Sequence, residues 1–447
     1  MRRFSLLAAS IALSLNAHAG DDLLGLYERA VLASPELLAS QYTVDIVRAQ
    51  ENRSFGELLP QVNVIGSYSL NRFHSQDNFT GRDFTNDYPG ERASVNIRQP
   101  LFDLQAYLLM KSQEARTSQS EQDLLNAHQK LIANLIERYV DALEAADKSQ
   151  IVAAELHSTE QQLARVKAMQ ARQMAMVTDL YEVEARTETL RTQLIENDNN
   201  ARIALEKLRE LTGDAVTSIQ SARLDSPQPA PDGNIDNWVQ QTGQLNPEIQ
   251  ALKLAVESAD QSISAYQAGH LPRIELQLSG TYSDTNFDNR QSSAYDVGTA
   301  SVQATVPIYT GGITTARINE AKARKKLNEM QLEQKRRELE KQTRAAYLDM
   351  QSSPARSLAT DRQLAASEKS RDAMKKGYEL GVVTIVDLLS AEKRLSESRL
   401  QQRQARYRYF KARSSLYFQT GKLIGPELAK FNEWLVMADK KSASRKQ

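Results

Sequence analysis

The chain has no cysteine, which excludes a disulfide framework, a thiol nucleophile, a cysteine-rich metal site and a lipid anchor on a processed cysteine. Histidine is scarce: the five in the chain stand at 18, 74, 128, 157 and 270, none at a metal-ligand spacing from another. Net charge is missing as well, since 56 basic side chains face 56 acidic ones, a balance that gives nucleic acid nothing to hold. The basic runs at Lys322 to Lys326 and Lys335-Arg336-Arg337 are interleaved with glutamate and fit a solvated helix face. Past the amino terminus no run of about 18 apolar residues occurs, so no transmembrane helix is expected and a bilayer could be crossed only by a β-barrel. There is no nucleophile elbow, P-loop or dinucleotide fingerprint. Tyr309-Thr310-Gly311-Gly312 reads as a strand-to-helix turn rather than an anion cradle. The chain is therefore not expected to be an enzyme, and no catalytic residue, cofactor or metal is assigned.

The amino terminus carries Arg2 and Arg3, an apolar stretch from Phe4 to Leu15, and Ala17-His18-Ala19. That order of charged, apolar and small residues predicts a secretory signal peptide over residues 1–19. Its loss would leave 54 basic and 56 acidic side chains and a net charge of −2.

The strongest positive feature is an internal repeat at constant spacing. Tyr139 returns as Tyr347, Asp179, Leu180 and Glu184 return as Asp387, Leu388 and Glu392, and Thr212-Gly213 returns as Thr420-Gly421, each 208 positions later. Constant spacing over such a length points to rigid rods whose ends must meet other things at set heights. Upstream, Ser34-Pro35-Glu36 and Asn246-Pro247-Glu248 have the residues of a helix start: a capping side chain, a proline at the first position and an acid in the first turn. Leu59-Pro60 and Leu271-Pro272 end these helices.

The period then changes from helical to alternating. Val62, Val64, Gly66, Tyr68 and Leu70 alternate with mostly polar neighbours, as do Ile274, Leu276, Leu278, Gly280 and Tyr282. Partner strands follow around Val95 and Ile97 and around Val302 and Val306. Two soluble hairpins packed face to face would show this pattern. So would a bilayer-spanning barrel with an apolar outside and a polar lumen. Four strands cannot close a barrel, so several chains would have to pool theirs: two would give 8 strands and three would give 12.

Proline-free sequence from Leu104 to about Arg172 carries Leu131, Leu135, Tyr139 and Leu143 at helical spacing, and Ile313 to about Gly377 is similar apart from Pro354, where a kink is expected. Reversals fall at 173–178 and 380–384, and helices return to Gly213 and Gly421 as C-caps. At about 1.5 Å per residue, the outgoing rod of roughly 69 residues matches the two shorter helices of each repeat laid end to end. The first repeat thus spans 20–213, with strands at about 61–100 and helices at about 21–59 and 104–212. The second spans 236–421, with strands at about 273–308 and helices at about 236–270 and 313–420. Residues 214–235, with Pro227, Pro229 and Pro231, and the tail 422–447 are left as a belt at half height. The fold class is α+β, with four strands and long antiparallel coiled-coil helices per chain, and an α+β membrane protein if the strands form a barrel.

Helix, hairpin, long helix and returning helix, twice over in a secreted chain, resembles the TolC family of outer-membrane efflux and secretion channels across the whole mature sequence. The most specific motif is Tyr378-Glu-Leu-Gly381-Val-Val383-Thr384-Ile-Val-Asp387-Leu388-Leu389-Ser390-Ala391, and Val177-Thr178-Asp179-Leu180 matches more weakly. The resemblance implies a homotrimer with a twelve-stranded barrel in the Gram-negative outer membrane, on a helical tunnel through the periplasm. It also implies a periplasmic adaptor and an inner-membrane transporter, ABC-type or proton-driven, as partners. It places Asp387 in an acidic ring at the periplasmic entrance, with Ser390 at the second ring position. Converging carboxylates would raise their own pKa and favour cations there; read without the family, Asp387 is equally a helix cap or first-turn acid. The hairpin latch and tip would be Asp179, Thr178, Tyr378, Gly381, Thr384 and Val383. Val383 stands where the family can have an arginine, so Asp179 is left to meet Arg172, Lys375 or Lys376, or to cap its own helix. The function implied is a passive exit duct opened by its partners. The competing reading is a soluble periplasmic coiled-coil scaffold or adaptor, which leaves the alternating strands unexplained.

Overall fold

A computed structural model of the chain describes residues 21–76, 81–222, 228–285 and 294–436; the segment read as a signal peptide lies outside them. The repeat is visible in the order of elements. The first copy is α1 (Leu23–Ala33), α2 (Pro35–Gly56), β1 (Gln61–Gln76), β2 (Asp83–Phe102), α3 (Leu104–Ala171) and α4 (Val177–Thr212). The second is α5 (Ile235–Leu245), α6 (Pro247–Ala268), β3 (Arg273–Thr285), β4 (Ala294–Thr305), α7 (Ile313–Glu379) and α8 (Ile385–Gln419), followed by α9 (Gly425–Val436). The described residues fall into two compact units.

One unit, drawn from Ser40–Leu125 and Pro247–Arg337, holds the sheet, in the order β1-β2-β3-β4 with every neighbour antiparallel. Its register sorts the side chains. Val62, Ile97, Leu278 and Ala300 stand side by side across the four strands, as do Val64, Val95, Gly280 and Gly298, so a single apolar face runs the width of the sheet. Gln61, Arg98, Gln277 and Ser301 form one row of the opposite face. A register shift comes at Pro100, which has no N–H to give to the ladder. The apolar face is bare: Val64 is 74% exposed, Leu70 80% and Val302 65%. That rules out the soluble alternative in which the hairpins bury these residues against one another. Beneath the sheet, α3 is joined to α6 by hydroxyls: Ser112 Oγ lies 3.0 Å from Ser258 Oγ and 2.9 Å from Ser262 Oγ.

The other unit, drawn from Met1–Ala39, Asn126–Asn246 and Glu338–Gln447, holds most of the apolar core. Its repeat shows in the caps of α1 and α5 and in the ends of α4 and α8. Asp22 accepts from the Gly25 N–H and Asn234 from the Asn237 N–H, starting α1 and α5 alike. Thr212 and Thr420 turn their hydroxyls back onto Leu208 and Leu416, and Gly213 and Gly421 follow in the left-handed region at φ +74° and +72°. A side chain at Gly421 would come within 2.5 Å of the Leu245 carbonyl, so both backbone conformation and close approach call for glycine. Tyr139 and Tyr347 are buried and donate to carbonyls of the segment joining the repeats, at Gln220 and Gly233. Burial drives the Tyr139 phenol well above its ordinary pKa, which keeps it a donor. Pro354 sits within α7, which continues through it, and the Ser352 and Ser353 hydroxyls donate to the Asp349 carbonyl beside it. α9 is pinned to α8 by Arg413, whose guanidinium lies 4.5 Å from the Trp434 ring centre and pairs with Glu427 at 3.4 Å.

Candidate functional site at the paired hairpin tips

The two helical reversals use one backbone device with different residues. At the end of α7, Gly381 adopts φ +74° while the Val382 N–H reaches back to the Gly377 carbonyl at 3.0 Å, closing a left-handed C-terminal motif. At the end of α3, Gln173, 208 positions earlier, takes φ +60° and the Met174 N–H reaches the Met169 carbonyl at 2.9 Å. A glutamine there bears a steric cost that glycine does not. The returning helices differ likewise. Thr384 caps α8 in a reciprocal box with Asp387, whereas Met176 starts α4 with no side-chain cap. The second tip is locally well determined; the first is held by its neighbours.

Those neighbours form a shared apolar cluster. Val166 of α3, Val183 of α4, and Ile385, Leu388 and Leu389 of α8 are buried together, with Leu163, Ala175, Leu180, Met374 and Tyr378 packed around them. Tyr378 is thus part of the seam between the hairpins, and its pKa is raised first by burial and then by the nearby Asp179 carboxylate. Among the described residues Asp179 makes no ion pair with Arg172, Lys375 or Lys376 and no side-chain cap to α4, while its charge is felt at Tyr378. The ion pair that crosses between the tips is Arg165 with Glu379, at 3.6 Å. Val383 closes its own turn: a Cβ at Gly377 would lie 2.5 Å from Val383 Cγ2. In the first tip the sizes are exchanged, Met169 standing for Gly377 and Ala175 for Val383. Thr178 lies in the first turn of α4.

Asp387 is exposed. Its Oδ2 accepts from the Thr384 hydroxyl at 2.6 Å and the Thr384 N–H at 3.2 Å, and these bonds hold its pKa below the ordinary carboxylate value. Within one chain the shift is downward, and the cap role is the one its geometry shows. Ser390 lies one turn on, half-buried.

A second fastening between the hairpins was not anticipated from the sequence. Asp141, Glu144 and Asp147 form a stripe on α3, facing Arg403, Gln404, Tyr407 and Lys411 on α8. Lys411 Nζ lies 2.5 Å from Asp141, Gln404 donates to Glu144 at 2.8 Å, Tyr407 donates to Asp147 at 2.6 Å, and Arg403 pairs with Asp147 at 3.4 Å. Tyr407 is buried, and burial followed by the Asp147 charge pushes its pKa far up, so the hydroxyl stays a donor. The signal was present as acids three apart on one helix and Arg403, Tyr407 and Lys411 four apart on another. Which two helices face each other is what the sequence alone left open. Among the described residues no corresponding stripe joins α7 to α4: the residues 208 before Arg403 and Lys411 are Ile195 and Ile203, both exposed.

The family model for outer membrane efflux proteins matches residues 26–214 and 238–422, one stretch for each repeat. The chain belongs to this family. Outer membrane protein TolC of Escherichia coli K12 is 24% identical over 449 residues, covering 96% of this chain and 89% of that protein. Alkaline protease secretion protein AprF of Pseudomonas aeruginosa is 27% identical over 415 residues, covering 91% and 85%. Among solved structures, the Campylobacter jejuni CmeC outer membrane channel superposes with a TM-score of 0.78 at 15% identity, covering 97% of this chain and 95% of that one. As an outer membrane efflux protein the chain is an outer-membrane channel component for efflux or secretion, and the scaffold alternative falls away. The family is one of channels and not of enzymes. The duplicated helical hairpins and the four-stranded sheet share the fold of that channel.

Proposed function

We propose that three copies of this chain pool their strands into a twelve-stranded barrel and that the paired hairpin tips form the closed periplasmic end of the resulting duct. The carrying observation is the sheet: four strands with both edges unpaired among the described residues and an uncovered apolar face, an arrangement viable in lipid only when closed by other copies. The duct is passive. A periplasmic adaptor and an inner-membrane transporter, ABC-type or proton-driven, supply the energy and part the tips, as the names of relatives devoted to efflux and to protease secretion support. Opening separates the hairpins at the apolar seam around Tyr378 and Leu388 and at Arg165 with Glu379, with Asp387 lining the entrance. The test is single-channel conductance in planar bilayers, for wild type and Asp387→Ala, with a multivalent cation on the tip side. Small steps blocked by that cation, with block lost in the variant, are expected. A wild-type protein that stays soluble without detergent and carries no current overturns the reading.

A further inference from the structure

The charges of the sheet are sorted by face. Among the described residues, the polar face carries Arg92, Arg98 and Arg273 against Glu275 as its one carboxylate. The apolar face carries, toward one end, Arg72 against Asp83, Asp87, Glu91, Asp284 and Asp296. Arg72 is fully engaged there, bonded twice to Asp87 at 2.7 Å. The three arginines of the polar face are different: all are exposed, and among the described residues none makes an ion pair within 4.0 Å. Their cross-strand neighbours are neutral hydrogen-bonding groups, Ser67 and Ser283 beside Arg92, Gln61 and Gln277 beside Arg98, and Thr305 beside Arg273. A face that merely needed to be wet would have no reason to gather cations and leave them unpaired.

We propose that the polar face of the barrel is a basic track that favours cargo bearing carboxylates. This rests on the duct reading, which puts that face around the lumen. In register the track has three heights. Arg92 lies opposite Ser283, Arg98 opposite Gln277, and Arg273 four residues further along the same strand, so the steps are about 20 Å and about 13 Å at about 3.3 Å per residue. Each step exceeds the ~8 Å Debye length at physiological salt. A small anion therefore feels one height at a time, whereas an extended chain with successive carboxylates engages all three. The neutral amides and hydroxyls between the arginines offer exchangeable hydrogen bonds and no counter-charge to arrest the chain. Glu275 sits between the two lower heights and limits how long any carboxylate stays there.

The experiment is block of single-channel current by poly-L-glutamate added on the barrel side, for wild type, Arg92→Gln/Arg98→Gln/Arg273→Gln, and the corresponding triple lysine variant. Addition on that side separates the track from the carboxylates at the tips. Wild type and the lysine variant should block at about tenfold lower polymer concentration than the glutamine variant; poly-L-lysine should not reproduce this order. Citrate at equal carboxylate concentration distinguishes the source: weaker block than the polymer assigns the track to acidic polypeptide, and equal block assigns it to small organic anions. Conducting wild-type channels that poly-L-glutamate blocks no better than the glutamine variant overturn the track and leave the duct standing. If wild type carries no current, the duct reading fails and takes the track with it. Loss of current in the glutamine variant alone is resolved by the lysine variant, which keeps charge and side-chain length: if it conducts without polymer block, the track is overturned.

Discussion

At the scale of single residues, the second tip shows how small exchanges are compensated locally. Gly377 and Val383 fit because one has no side chain where the other projects, and the first tip solves the same turn with Met169 and Ala175. Gly377→Ala gains about 1 kcal/mol of helix propensity but drives a methyl into a stiff β-branched neighbour, an overpacking of about 1–3 kcal/mol. Adding Val383→Ala should remove the clash, giving a coupling of about 1–2 kcal/mol in a double-mutant cycle read by thermal unfolding; additive effects would contradict the contact. Asp387 makes a pH prediction. Its folded pKa lies below the ordinary value because Thr384 donates to it twice, so its contribution is complete above the unfolded carboxylate pKa and fades as pH falls through the folded one. NMR titration should place Asp387 below 3.8, the ordinary value, and Thr384→Val should move it up. A wild-type value above the ordinary one would mean that repulsion around the entrance outweighs the cap.

At the scale of elements, the two hairpins are alike in path and unlike in strength. The α3–α4 reversal has Gln173 in the left-handed region and no cap at Met176, where the α7–α8 reversal has Gly381 and the Thr384–Asp387 box. Glycine in place of a strained side chain and a polar cap in place of methionine are each worth about 1 kcal/mol. Amides around 169–180 should therefore exchange with deuterium faster than those around 377–388, and Gln173→Gly with Met176→Thr should close most of the gap. Equal protection in wild type would show that packing erases the local difference. Higher up, α8 is tied to α3 by pairs that are individually weak where exposed, about 0–1 kcal/mol. Tyr407 is the exception, donating to a charged acceptor from a buried site, a bond worth about 1.5–3 kcal/mol. Tyr407→Phe should lower the unfolding midpoint and raise spontaneous conductance, whereas Arg403→Ala should do less of both; the reverse order would remove Tyr407 as the main tie.

For the whole molecule, what matters is which face of the sheet meets lipid. Val64 and Asn63 are adjacent in β1 and point to opposite faces. On the lipid side of a barrel a lysine near mid-bilayer costs about 2–4 kcal/mol, and in a wet lumen it costs little. Val64→Lys should lose outer-membrane insertion and Asn63→Lys should keep it, as followed by membrane fractionation and by the mass of the unheated oligomer. Equal tolerance at both positions would argue against lipid on the apolar face.

The duplication, the four alternating strands and the long helices are legible in the chain because each is written in local terms: a constant 208-residue spacing, a period of two, and the absence of proline and glycine over long stretches. Packing settles what local pattern does not encode. Asp179 has several cations nearby in sequence, yet among the described residues it pairs with none of them; Arg165 and Glu379, 214 positions apart, form a pair that crosses the tips. Val383 reads as a missing arginine but serves its own turn. The stripes on α3 and α8 were legible singly, and only packing brought acid to base. Charges on helices pair according to which faces meet, and a chain's pattern fixes the face of each helix without fixing its partner.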